Sequence, residues 1–229
     1  MPYQRARTFA HAFFAALAGN VAIQQEMTAA IDECFRRYDT GPFENRFIVG
    51  AVVEQIVGAT ARALGFPVEN AGARRQAYDI ELAPNYGLSV KYTSEFGRAA
   101  RVRLTNSQGA VGIWETGTIF VVAGGGIGYA DAGLAPGVTI PAGDGHSLDV
   151  SLERVKAVWG LPPTAARGNP PAWLAQMPVP PHTAGFFLPI AVPARAVVRA
   201  PRLAGDPIAY DILQSGRSQT LFRNFKNSI

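Results

Sequence analysis

Cysteine occurs once in the 229 residues, as Cys34, so no intramolecular disulfide framework can form, and a reducing, cytoplasmic setting is expected. Histidine is scarce too. His11, His146 and His182 lie far apart and have no cysteine partners, which excludes a zinc site with Cys/His spacing. No apolar run approaches the roughly 20 residues of a membrane span, so no membrane partner is expected. No Gly-Lys pair occurs, which excludes a phosphate-binding P-loop, and no Gly-x-Ser-x-Gly elbow is present. Charge is thin, at 17% of residues, and lysine is the rarest part of it, three against eighteen arginines. Wherever a generic positive charge suffices this chain uses arginine, so each lysine asks for a reason.

What is present suits one substantial core: 48% of residues are hydrophobic. The net charge of +4 and a pI near 9.5 suit an anionic partner. The excess is concentrated in two zones. Residues 62–103 carry seven basic side chains against four acidic ones, and residues 195–229 carry six against two. At the N-terminus, Arg5 and Arg7 precede a short apolar stretch in the manner of a secretory leader. His11 breaks that stretch and helical periodicity runs past Gly19, so a helix of the fold is expected instead.

Residues 5–18 and 21–38 have the spacing of two amphipathic helices, the second with Ile23, Met27, Ile31, Cys34 and Phe35 on one face. Thr40-Gly41-Pro42 closes the pair, and a longer helix is expected over 43–64, ended by Gly65. A short strand at 66–69 and a turn at 70–72 follow. Strands at 77–83 and 87–93 are then joined by Pro84-Asn85-Tyr86-Gly87. Beyond a basic loop at 98–103, residues 104–116 read as a short helix and the apolar run 118–123 as a buried strand. The order helix, three strands, helix, strand predicts an α/β sheet with helices on both faces. From residue 124 glycine and proline become dense. A helix at 148–159 and edge strands at 186–192 and 194–199, limited by Pro189, Pro193 and Pro201, are expected to pack on the first half without forming an independent core.

Lys91 stands in a β-branched and aromatic run, Leu88-Ser89-Val90-Lys91-Tyr92-Thr93, twelve positions after Asp79 in Tyr78-Asp79-Ile80-Glu81. Glu54 interrupts an otherwise apolar helix. Strand residues two apart share a face, so Ser89 projects with Lys91 and Asp79 with Glu81; a hairpin would bring Asp79 close to Lys91. Such a set is what metal-dependent phosphodiester cleavage requires. Magnesium takes one or two carboxylates plus phosphate and water, and lowers the pKa of a bound water. A nearby ammonium stabilises the charge added at phosphorus. The plain counterparts are an edge lysine that deters aggregation, an aspartate paired with Arg74 or Arg75, and a glutamate on the solvent face of its helix.

The arrangement resembles the PD-(D/E)xK nuclease superfamily, and the type II restriction endonucleases within it. The matching segments are Gly50-Ala51-Val52-Val53-Glu54-Gln55, Tyr78-Asp79-Ile80-Glu81 and Ser89-Val90-Lys91, in a core covering about a third of the chain. The resemblance implies a restriction-endonuclease-like mixed sheet flanked by helices, with a loop-rich C-terminal part. It implies a single nuclease domain over 1–229: a helix pair (1–42), a catalytic core (43–123), and a loop-rich part (124–229) available for DNA recognition. It further implies Mg²⁺, double-stranded DNA as substrate and a homodimer. Glu54, Asp79, Ser89 and Lys91 become the catalytic set, with the metal at Asp79, Glu54 and Val90. Two positions depart from the family. Tyr78 replaces a proline, and Ser89 replaces the usual second acid. Glu54 is the first substitute for that acid, ahead of Glu81, Glu95 and Glu115, and the number of metal ions is left open. Thr93, Ser94, Arg98, Arg101, Arg103 and Asn106 are candidates for contacts to DNA phosphates or base edges, with Arg217, Arg223 and Lys226 in the tail. A solvated basic loop is the alternative for the same residues.

Two other functions remain in view. Ser89 could mark a DNA-binding protein that has lost cleavage on the same scaffold, with salt-sensitive DNA affinity and no metal-dependent nicking. The run 118–128 could belong to a nucleotide-binding oxidoreductase. Gly124 and Gly126 match the first two glycines of a dinucleotide turn, but the third position is Tyr129. Gly133 and Pro136 also arrive too soon for the helix such a turn needs, so a turn with positive φ is expected there.

Overall fold

An apolar residue every three or four positions winds the N-terminus into α1 (Gln4–Ala18) and α2 (Val21–Arg37). In the computed structural model, which describes residues 3–37, 43–71, 78–93, 101–104, 114–141, 147–161 and 186–193, α1 buries Ala6, Ala10, Phe13, Phe14 and Leu17. From α2, Ile23, Met27, Ile31 and Cys34 are buried and Phe35 packs against the same core, as the spacing predicted. The third helix, α3 (Phe43–Ala63), is buried at Val49, Val52, Val53, Ile56 and Val57. It stops where Gly65 adopts φ +87°, the left-handed conformation that glycine takes at a helix end without steric cost.

Two-residue β1 (Glu69–Asn70) pairs antiparallel with β2 (Ile80–Ala83), and β2 with β3 (Tyr86–Thr93). The tight link between β2 and β3 uses Asn85 at φ +59°. Next to β3, and parallel to it, runs β5 (Thr118–Val122), followed antiparallel by β6 (Gly126–Ala130) and then by β9 (Phe187–Leu188). The result is a mixed six-stranded sheet in the order β1-β2-β3-β5-β6-β9. A second, three-stranded antiparallel sheet, β4-β8-β7, is built from β4 (Arg101–Leu104), β7 (Thr139–Pro141) and β8 (Leu148–Ser151); α4 (Leu152–Val158) follows β8.

β5 is buried along its whole length because both sides of it are covered. Ile119 and Val121 pack with the helical core, whereas Phe120 and Val122 pack with Val102, Leu148, Val150, Val155 and Trp159. The second cluster therefore shares β5 with the first.

Several expectations need correction. Helices α1–α3 cover one face of the main sheet, but the small sheet and α4 cover the other, so helices alone do not flank both sides. Residues 101–104, expected as loop and helix start with strand-like alternation as the other reading, form a strand whose Val102 and Leu104 are buried while Arg101 and Arg103 are exposed. The helix read over 148–159 is shorter, because Leu148-Asp149-Val150-Ser151 alternates with period two and enters the small sheet first. The glycine run 124–128 links β5 to β6 as a hairpin, with Gly124 at φ +65°. No helix follows it, so the dinucleotide turn has no helix N-terminus. The strand expected at 194–199 and most of the helix expected at 104–116 lie outside the described residues. None of the described helices is long and apolar enough to cross a membrane.

Candidate active site

Three donors meet on one oxygen. Asp79 stands at the entry to β2 with its backbone held on both sides: its N–H donates to the Leu88 carbonyl at 2.8 Å, and its carbonyl accepts from Ala71 N–H at 3.0 Å. Its carboxylate oxygen Oδ2 accepts from Ser89 Oγ at 2.9 Å, from Val90 N–H at 2.7 Å and from Lys91 Nζ at 3.2 Å. The strand register explains the convergence. Ser89 N–H donates to the Gly117 carbonyl, and the Thr93 carbonyl accepts from Ala123 N–H, so alternate residues of β3 bond to β5. Alternation turns the N–H of Val90 the other way, towards Asp79. Asp79 and Lys91, twelve positions apart in sequence, thus meet across the β2–β3 link. The Lys91–Asp79 pair retains only 16% and 12% of its side-chain exposure, so solvent screens it less than a surface pair.

Glu54 joins this group from α3, which packs on β3. Burial, and then the Asp79 carboxylate, push the Glu54 carboxyl up to about 7; the Lys91 ammonium opposes them. Glu54, the first substitute considered for the acid missing at position 89, lies in the field of both Asp79 and Lys91. Glu81 lies on β2 opposite Glu69 and Gly87, and Glu115 lines a separate cavity of about 180 Å³ with Tyr3, Tyr78 and Tyr86; Glu95 lies outside the described residues. Ser89, at the altered acidic position, is a hydrogen-bond donor to Asp79. A second carboxylate there would face the first at close range.

The raised Glu54 pKa has a consequence for stability. Its folded value lies above the ordinary glutamate value, so the neutral acid is the favoured folded form. The stability linked to that proton is complete at acid pH and is lost as pH rises through about 7. In chelator, Glu54→Gln is expected to raise the unfolding free energy at pH 8 by on the order of 1–3 kcal/mol, with the gain shrinking towards pH 5. Denaturant titration at the two pH values measures this, and an equal effect at both would show that folding does not raise the Glu54 pKa.

The candidate DNA contacts fare unevenly. Arg101 is exposed on β4, and Arg103 donates through Nε and Nη2 to Asp149 at 3.0 and 3.4 Å, so its guanidinium is already engaged. Thr93 is 7% exposed at the end of β3. Ser94, Arg98 and Asn106 lie outside the described residues, as do Arg217, Arg223 and Lys226. One participant was not singled out from sequence: the Asn70 side-chain amide donates to the Glu54 carbonyl at 3.2 Å. Its signal is the unexplained glycine at position 58, one turn after Glu54 in a helix.

Among the described residues, no group of three or more His, Cys, Asp or Glu side chains is arranged to hold a metal ion. Two carboxylates and the Val90 carbonyl are what the cluster offers. That set fits magnesium, which uses one or two carboxylates and otherwise water and phosphate oxygens. The mutual repulsion of the Glu54 and Asp79 carboxylates is also what a divalent cation would relieve. Comparison with protein-family models, curated proteins and solved structures returns no match.

Proposed function

We propose that the chain is a Mg²⁺-dependent endonuclease that hydrolyses phosphodiester bonds of double-stranded DNA at specific sites, in the manner of a type II restriction enzyme. The observation that carries this reading is the convergence of Lys91 and the Asp79 carboxylate, 3.2 Å apart, with Glu54 in the same electrostatic field. Asp79, Glu54 and the Val90 carbonyl would hold the cation. When bound, magnesium supplies charge neutralisation at the scissile phosphate and a water of lowered pKa. Ser89 and the Val90 N–H fix the orientation of the Asp79 carboxylate by donating to its Oδ2. Lys91 presents its ammonium to the attacking water and to the negative charge that accumulates on phosphorus. Two copies related by a two-fold axis would each cut one strand of a symmetric target.

Supercoiled plasmid incubated with the protein is expected to give discrete linear fragments with Mg²⁺ and none with EDTA. Cutting should weaken as pH falls, because a proton on Glu54 competes with the cation. Salt-sensitive DNA affinity without nicking at any Mg²⁺ concentration would instead establish a binding protein on this scaffold, with Ser89 as the site of the lost chemistry. A neighbouring DNA methyltransferase gene would support a restriction system.

A further inference from the structure

Gly58 and Arg62 follow Glu54 at intervals of four along α3, so the three share one helical face. Glycine is unfavourable inside a helix, and Gly58 has a specific reason to be there. A Cβ at position 58 would stand 2.4 Å from Asn70 Oδ1 and 2.8 Å from Asn70 Nδ2. The Asn70 amide lies against the bare backbone of the helix. Its Nδ2 donates to the Glu54 carbonyl at 3.2 Å, and its Oδ1 accepts from Arg62 Nη1 at 2.8 Å. Asn70 belongs to β1 and pairs with Ile80, and the next residue, Ala71, donates its N–H to the Asp79 carbonyl at 3.0 Å. Two consecutive residues thus grip the backbones that carry the two carboxylates, one on a helix and one at a strand entry.

We propose that Asn70, seated on Gly58 and braced by Arg62, is a positioning residue that fixes Glu54 relative to Asp79 for one shared divalent cation. The inference rests on the nuclease reading in taking those two acids as ligands. Its physical basis is general: groups that hold metal ligands in place set the affinity of the site although they never touch the ion.

Mn²⁺ binding to the full chain, freed of metal and without DNA, followed by electron paramagnetic resonance, tests this with Asp79→Asn as background. Asn70→Ala deletes the amide, and Gly58→Ala expels it. Each is expected to weaken Mn²⁺ binding about tenfold. The double variant should be no weaker than either single one, because the second change removes what the first has already displaced. In the double variant the new Cβ occupies space that the asparagine vacated, so it carries the test if Gly58→Ala alone fails to fold; melting curves report folding. Single variants within twofold of wild type would overturn the inference. So would a double variant in which the two losses multiply to about 100-fold, or a wild type that binds no more Mn²⁺ than the background. If the expected pattern appears while wild type cuts no DNA, the positioning role stands and the nuclease reading falls.

Discussion

Asp79→Ala and Lys91→Ala are each expected to stop DNA cleavage, and to do so by different routes. Loss of Asp79 removes one of two carboxylates, so calorimetric titration should show Mg²⁺ binding lost together with cutting. A cation that stabilises a transition state by several kcal/mol accounts for about a thousandfold in rate or more. Loss of Lys91 should leave Mg²⁺ binding intact or slightly tighter, because the ammonium 3.2 Å from Asp79 Oδ2 no longer offsets the carboxylate charge. Cleavage should still fall about 10²–10³-fold, the usual cost of removing one preorganised donor from developing negative charge. Asp79→Asn serves as the folding control, since it retains an acceptor for the Ser89 hydroxyl and the Val90 N–H. Full plasmid cutting by either alanine variant would remove the assigned role. Equal loss of Mg²⁺ affinity in both would make Lys91 a structural partner of Asp79.

Much of this site was legible because it depends on local periodicity. Period-two alternation puts Ser89 and Lys91 on one face, and a short hairpin limits where Asp79 can go; both features follow from residues within fifteen positions of one another. Glu54 was less legible. A helical pattern gives the direction of a side chain but not its neighbours, and one contact to the Glu54 backbone comes from a two-residue strand with Asn70 in a segment that reads as a turn. The same limit explains the C-terminal half. Leu148-Asp149-Val150-Ser151 is too short to separate from the helix that follows unless its partner β4 is known, and β4 itself is an arginine-rich segment that reads equally well as a solvated loop. Even so, the burial of Phe120 and Val122 follows from a wholly apolar strand, since a strand without a polar side must be covered on both faces.

Asp131→Ala is expected to be among the most damaging substitutions for stability, although Asp131 lies outside the proposed site. Its side chain is fully buried and accepts five hydrogen bonds: from Arg7 Nε at 2.8 Å and Nη2 at 2.7 Å, from the Tyr129 hydroxyl at 2.8 Å, and from the N–H groups of Gly133 at 2.8 Å and Leu134 at 2.9 Å. The Arg7 bonds tie α1 to the end of β6 across 124 positions of sequence. Removing the carboxylate leaves a partly buried guanidinium and three further donors without their acceptor, a loss of about 3–5 kcal/mol by analogy with other broken buried pairs. Burial by itself would raise the Asp131 pKa, but the bonds from Arg7, Tyr129 and Leu134 outweigh it and hold the group below the ordinary aspartate value. The stability tied to its ionised form is therefore complete above about pH 4 and is lost as pH falls through the lower folded value. Denaturant unfolding of wild type should weaken between pH 5 and pH 3 by more than that of Asp131→Asn, which has no such proton to gain. Equal acid sensitivity in the two proteins would show that the buried carboxylate contributes nothing. Because β6 is separated from β3 by β5, an Asp131→Asn chain that remains folded should bind Mg²⁺ as wild type does, which separates damage to the scaffold from damage to the site.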